Sequence, residues 1–536
     1  MTILALPERI RRAEAKLPPD AAAFLDGITS YEDFRAQRVP QGLYEQRTPG
    51  AYMLRLRLPG GMLSLDQAAK LAVLTEVHGC QRLHLTTREA IQCHDLPLPA
   101  AVAIQQGLAA IGLSARGTGG NTVRNVTADH LSGVAQDEVF DVRPWNLATT
   151  QVLLEREDCD SLPRKFKVAF SGSPADRAGA GVADVGFIAT MKDGAQGFQV
   201  FVGGGLGGKP VPALEIFPWV PVAEAPRITT AILSLFIAHG DKNNKAIARL
   251  RHVRHRLGNG PFLSLCREWI DRQAALPGLS PITAPGVNSA PGGSLPARLL
   301  GKSGLVAQRQ MGRFAVRLAP PLGDLLPRDL AAIVRAARTR ADGVLRVGLD
   351  QEIWLTGVAG DQVENLLADL DGLTLGQPGT AGVRIPACAG ADTCKLGLLR
   401  SRPAALAISE RLTAEGLDLK GIRISGCPNS CGRHLVGGIG LQGRAKKVRD
   451  RLMPCYDVMQ NGHHGAESAI ATRLGTVPAR QITELMVAVA RGGDLATEVA
   501  RFEVLPQDIP EEWYHDWADE ARFSLTGLGQ GECAAG

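Results

Sequence analysis

An α+β fold made by pseudo-two-fold duplication is what this sequence predicts, with three α/β domains gathered around a central site. Three observations lead there. A strand–turn–helix order near residue 50 returns near residue 312, a Pro/Gly-rich segment at 281–296 separates the two copies, and four cysteines stand in Gly-rich turns of the back third. Two halves related by a pseudo-two-fold axis enclose a cleft wide enough for a large ligand.

Residues 5–25 read as a helix followed by a Pro-broken second helix start, an N-terminal arm. Tyr52, Leu54, Leu56 and Leu58 then alternate with Met53, Arg55 and Arg57, the period of a strand. Pro59-Gly60-Gly61 ends it, residues 65–77 form a helix, 83–87 a second strand, and a helix or turn follows at Glu89. The second copy opens with Gly312 to Pro320, which parallels Gly50 to Pro59, and continues with a helix at 328–339 and strands at 344–349 and 352–355. A weaker break falls at 377–382, and the acidic segment after Pro506 is expected to pack loosely at the surface. Domain limits follow at 1–125, 126–290, 291–376, 377–475 and 476–536.

The 536 residues are 45% hydrophobic and 21% charged, the composition of an ordinary soluble chain. Aromatic residues make up 5%, too few for a nucleic-acid stacking surface, and no nucleic-acid partner is expected. The longest lipophilic run, 231–238, is far shorter than a membrane span, and residues 1–12 hold no signal-peptide core. A net charge of +5 suits an acidic protein partner or an anionic ligand. Cys80, Cys93, Cys159, Cys266, Cys455 and Cys533 lack regular spacing and read as reduced thiols, so a cytoplasmic location is expected.

Cys388 and Cys394 form C-x5-C, and Cys427 and Cys431 form C-x3-C thirty-two residues later. Four unrelated buried cysteines would need no such turns. Structural zinc takes pairs two to four apart, so the x5 spacing favours a [4Fe–4S] cluster, as do the neighbouring Pro and the glycines that let backbone approach inorganic sulfur.

Arg55, Arg88, Arg124, Lys165 and Lys167 are embedded in otherwise apolar segments. A solvated sheet edge would account for the pair Lys165 and Lys167, which share one face of a strand. Five such cations instead call for an anionic guest, because uncompensated burial is costly. Lys242, Lys245, Arg249, His252 and Arg256 fall three, four, three and four apart, one stripe of a predicted helix. It is either a basic solvent face or the wall of a pocket for a polycarboxylate. Gly203 to Gly208 matches G-x-G-x-x-G, but the following Lys-Pro-Val-Pro cannot open a nucleotide-binding helix, so a turn beside a flat cofactor is the better reading. His463-His464 is read as a loop.

With these motifs in order, the chain resembles the sirohaem-dependent sulfite and nitrite reductases from about Tyr44 to Leu474. The resemblance rests on the quartet, on Tyr44-Glu45-Gln46-Arg47, Leu54-Arg55-Leu56-Arg57-Leu58-Pro59-Gly60-Gly61 and Leu85-Thr86-Thr87-Arg88-Glu89-Ala90-Ile91-Gln92, and on residues 121–126, 162–167 and 184–187. It implies that Cys388, Cys394, Cys427 and Cys431 hold a [4Fe–4S] cluster, with Cys431 bridging to sirohaem. It implies that Arg55, Arg124, Lys165 and Lys167 hold the substrate oxyanion, that Arg88, Gln92, Lys245 and Arg249 pair with sirohaem carboxylates, and that Asn429 sits beside the cluster. His84 stands where the family has Arg, Glu89 where it has Gln, and 240–245 replaces a more Arg-rich stretch.

The implied activity is six-electron reduction of sulfite, alternatively nitrite, by a monomer fed by ferredoxin or another donor protein. Lys167 favours sulfite, since nitrite reductases of the family often carry Asn there. Precorrin-3B synthase-like corrin-ring oxidation is a further alternative. An electron carrier or a four-thiolate zinc module leaves the cations unexplained.

Overall fold

The computed structural model describes residues 2–276, 279–378 and 382–516. Its architecture is an internal duplication at two levels. The first half-repeat is a five-stranded sheet in the order Leu43–Glu45, Tyr52–Leu56, Ile91–Leu96, Arg82–Leu85 and Asp324–Leu325. The second runs Leu305–Ala307, Arg313–Leu318, Ile353–Ala359, Val344–Val347 and Met62–Ser64. The outer strand of each sheet therefore comes from the other half: Met62 pairs with Arg346, and Asp324 pairs with His84.

The turns before these exchanged strands explain why. Gly60 and Gly61 adopt φ 58° and 69°, and Leu322 and Gly323 take the same places at 55° and 75°. This left-handed step turns the chain out of its own sheet and toward the partner. A Cβ at Gly61 would lie 2.4 Å from the Val347 carbonyl oxygen, so only glycine fits there. The exchanged strand leads into the helix Leu65–Val77, whose N-terminus is closed by a reciprocal Ser64–Gln67 capping box. That helix packs on its counterpart Pro327–Arg340. One hydrophobic core serves both halves, with Leu54, Leu56, Leu71 and Leu83 packed beside Val316, Leu318, Leu330 and Leu345.

The other two sheets are a second duplicated pair. Thr127–Ala128, Val168–Ser171 and Val185–Lys192 run parallel, and Ala195–Val202 and Leu214–Pro221 continue antiparallel. Ile422–Ser425 and Ile439–Val448 run parallel, followed by Arg451–Gln460 and Thr472–Pro478. Each parallel pair is joined by a tight loop containing a left-handed residue, Asp176 at φ 50° and Ser430 at φ 55°, and then a short 3-10 turn, Ala180–Val182 or His434–Val436.

Of the helix or turn expected at Glu89, the structure has the turn (φ 52°), and it leads into the strand Ile91–Leu96, which completes the first hairpin. Two expectations change. The predicted helix at 242–256 begins only at Leu250. Asp241 accepts hydrogen bonds from the Asn243 and Asn244 amides, and Asn244 accepts one from Ala246, so side chains take the backbone donors a helix would use. The segment after Pro506 is not loose as far as it is described. Tyr514 is buried against Val448, Met453 and Cys455, Arg451 pairs with Glu511, and Asp516 accepts from the Arg400 amide. Residues 379–381 of the weaker break, and 517–536 with Cys533, lie outside the described residues.

Candidate active site and cofactor cavity

The four cysteines converge. Ala387 bridges to Ile424, which brings the loop carrying Cys388 and Cys394 alongside the loop carrying Cys427 and Cys431. Close approach depends on Gly432, where a Cβ would lie 1.8 Å from the Ile424 carbonyl oxygen. All four cysteines line one cavity. Among the described residues no three His, Cys, Asp or Glu side chains close on a single point suited to one metal ion. Four thiols lining one space are the donor set a [4Fe–4S] cluster takes. The Gly426 amide donates to Cys388 Sγ at 3.2 Å, the kind of N–H···S contact that tunes such a group. Thr87 Oγ1 donates to the Cys431 carbonyl at 2.5 Å, tying the cysteine loop to the first half-repeat.

The other wall of the cavity comes from the hairpin Arg82–Leu85/Ile91–Leu96 and its neighbours, with Arg55, His84, Arg88, Gln92, His94 and Arg124 exposed to it. Arg55 and Gln92 are cross-strand partners, and with its amide oriented to satisfy both neighbours Gln92 accepts from Arg55 Nε and Nη2 at 2.8 and 2.7 Å. Arg88 donates to the Val168 carbonyl at 3.3 Å, while its buried Nε has no partner. Burial and the nearby Arg433 push Arg88 down to about 9.

Lys165 and Lys167 do not line this same space. They directly precede the strand Val168–Ser171, and Phe166 between them bridges to Val123, next to Arg124. Lys167 retains some accessible surface, yet burial together with Arg88, Lys165, Arg249 and Arg433 holds its ammonium well below the usual lysine range. Asp184 answers only part of this charge: it pairs with Arg249 at 2.8 Å and accepts from the Lys167 amide at 2.9 Å. The Nε atoms of Arg249 and Arg433 and Nη1 of Arg251 are buried without partners. Guanidinium groups so placed fit a polyanionic guest.

Two of the expected cofactor contacts lie elsewhere. Lys245 is exposed in the 241–248 loop, separated from Arg249, which caps the helix Leu250–Leu257. Asn429 is exposed at the tip of the cysteine loop, its backbone facing Gly207 of the glycine turn. That turn packs against Arg249 and Arg251, in keeping with a position beside a cofactor. Sequence reasoning missed His84, His94, Arg251 and Arg433. His94 shares a strand face with Gln92, and Arg433 follows Cys431 by two residues, so both were within reach of pattern arguments. His84 donates through Nδ1 to Asp324 Oδ1 at 2.7 Å, and Arg402 holds the same carboxylate. Burial still lowers His84 below its ordinary value. The carboxylate thus fixes the neutral imidazole with Nε2 turned toward Gln351, 3.3 Å away.

The internal duplication places counterparts opposite these ligands. Ser173 and Arg177 occupy the places of Cys427 and Cys431, and Asp129, after the bridge-forming Ala128, occupies that of Cys388. There Arg177 and Asp129 form a 2.9 Å ion pair. One copy of the loop unit carries thiols and the other a salt bridge.

The family model described as nitrite and sulphite reductase 4Fe-4S domain matches residues 119–273, the copy with the salt bridge. The model described as nitrite/sulfite reductase ferredoxin-like half domain matches twice, at 44–111 and 306–373. Ferredoxin–nitrite reductase of Synechococcus elongatus is 30% identical over 88% of this chain and 94% of its own length. The chloroplastic ferredoxin–nitrite reductase of Zea mays is 28% identical over 88% and 82%. Sulfite reductase [ferredoxin] 2 of Mycolicibacterium paratuberculosis is 29% identical over 82% and 80%. The solved structure of the Mycobacterium tuberculosis NirA protein superposes with a TM-score of 0.75 at 23% identity, covering 91% of this chain and 96% of that one, a likeness of fold.

Proposed function

From the premise that this chain belongs to the nitrite and sulfite reductase family, we propose that it reduces sulfite to sulfide, with electrons delivered by ferredoxin. The family is one of oxidoreductases that use sirohaem and a [4Fe–4S] cluster, and the site has residues suited to both. Cys388, Cys394, Cys427 and Cys431 would hold the cluster, and Cys431 would couple it to the sirohaem. Arg88, Gln92 and Arg249, joined by Arg251 and Arg433, would receive the tetrapyrrole carboxylates. When bound, the pair supplies single-electron transfer to a substrate-binding iron.

The protein's own share of the chemistry is electrostatic. We assign the oxyanion to Arg55 and Arg124 on the cavity wall together with Lys165 and Lys167, which reach it from the adjoining cluster around Arg88; all four would stabilise charge on its departing oxygens, and the two lysines would release protons to them. Lys167 is the observation that carries sulfite. Four neighbouring cations depress it, and a dianion restores its proton more effectively than a monoanion does. Nitrite is the second reading, favoured by the printed names of several relatives.

Steady-state rates with both substrates test the choice. The ratio of kcat/KM for sulfite to that for nitrite is expected to exceed one, and Lys167→Asn to lower it by roughly tenfold, about the worth of one well-placed charge. A ratio below one that Lys167→Asn leaves alone would transfer the assignment to nitrite.

A further inference from the structure

A cavity of about 520 Å³ lies between the second half-repeat and the cysteine-bearing domain, next to the site above and sharing only Gln351 with it. Internal symmetry relates it to that site. Arg317 takes the place of Arg55 on the equivalent strand, Asp350 that of Arg88, and Gln351 that of Glu89, the last two sharing left-handed φ values of 62° and 52°. We propose that this cavity is a second ligand site, for a small monocarboxylate with an apolar body.

Charge balance sets the class of ligand. Five charged side chains line the cavity: Arg317, Asp350, Arg384, Asp418 and Lys420. Four of them are already answered. Asp350 pairs with Arg423 at 2.7 Å, Arg384 with Glu352 at 2.6 Å, and Lys420 with Asp418 at 3.4 Å. Arg317 remains, donating to Ser303 Oγ at 3.0 Å with its buried Nε unpartnered, and among the described residues no carboxylate pairs with it. Arg55 differs, since Gln92 receives it. One guanidinium without a counter-charge asks for one negative charge.

Pro320, Pro321, Leu322, Ile385, Ala405 and Leu406 form an apolar part of the wall, beside the polar Ser303, Gln351, Ser409 and Thr413. A concave apolar space with one convergent charge is the ordinary form of a small-molecule site. Leu322 stands at φ 55°, a conformation rare outside glycine, while its counterpart in the other half is Gly60. Strained residues of this kind gather at ligand sites.

An occupant would be sensed at the cofactor cavity, because Gln351 lines both spaces. Its Nε2 reaches the Leu322 and Leu85 carbonyls and His84, and its Oε1 accepts from the Ala387 amide, next to Cys388.

Titration of the holoenzyme with 4-fluorobenzoate, read by fluorine NMR, tests the proposal. Saturable one-site binding is expected, weakened at least about tenfold by Arg317→Gln, abolished by the cavity-filling Leu406→Trp, and not displaced by excess sulfite. No saturation below about 10 mM, unchanged binding in both variants, or displacement by sulfite would each overturn it. The site is independent of which oxyanion the enzyme reduces, so either outcome leaves the substrate assignment untouched.

Discussion

Burial, with Arg88, Lys165, Arg249 and Arg433, weakens the hold of Lys167 on its proton, so its charge depends on what occupies the cleft. A base whose value lies well below the ordinary lysine range loses its charge as pH rises through that lowered value. KM for sulfite is therefore expected to climb with pH in the wild type, and the climb to flatten in Lys167→Arg, which keeps its charge; parallel profiles would contradict this. Glu14 is the opposite case. Burial raises it from 4.5 to about 7, although Ser114 and the Ala115 amide donate to it. A carboxyl raised in the folded state adds stability below its unfolded value, and that stability is lost as pH rises through about 7. Denaturant unfolding of Glu14→Gln should show the stability difference between pH 5 and pH 8 reduced by on the order of 2 kcal/mol. An undiminished difference would assign the pH dependence to other groups.

At the level of elements, the exchanged strands decide how the halves meet. Gly61→Ala places a Cβ on the Val347 carbonyl and forces a left-handed residue to carry a side chain, so a loss of about 2 kcal/mol or more is expected in chemical denaturation. A loss below about 0.5 kcal/mol would mean that the turn readily relaxes. The strand at Tyr52, the helix Leu65–Val77 and the repeat at Gly312 were legible because periodicity and Pro-Gly punctuation extend over many residues. Met62–Ser64 and Asp324–Leu325 were not, since strands of three and two residues carry no period and their partners lie in the other half. The 242–256 stripe misled in the opposite sense: its spacing is helical, but Asp241 and Asn244 capture the amides before Leu250. The cysteine loops were legible through spacing alone. His84 and Arg251 became visible as site residues only once separate segments were brought together, whereas Arg433, two residues past Cys431, was within reach of the sequence pattern.

For the whole molecule, duplication accounts for both the shared core and the asymmetry of the centre. Each half supplies a strand to the other, so residues 1–290 expressed alone lack the Val344–Val347 and Asp324–Leu325 partners. That fragment should give a weak near-ultraviolet circular dichroism spectrum and no cooperative melt, whereas a sharp melt would show that the exchange is dispensable. Ferredoxin-driven turnover is expected to fall with added salt while dithionite-driven turnover holds, as for an acidic partner on a chain of net charge +5. Equal salt responses would point to a donor recognised without charge. Of the two loop units, only the one with Cys388, Cys394, Cys427 and Cys431 can bind a cluster by thiolate, because the other closes on the Asp129–Arg177 pair. The most direct test is metal and sulfide analysis of the purified holoprotein beside its absorption spectrum. The account predicts about five irons and four acid-labile sulfides per chain with chlorin-type Soret and red bands. Zinc, a second cluster, or iron without a tetrapyrrole band would contradict it.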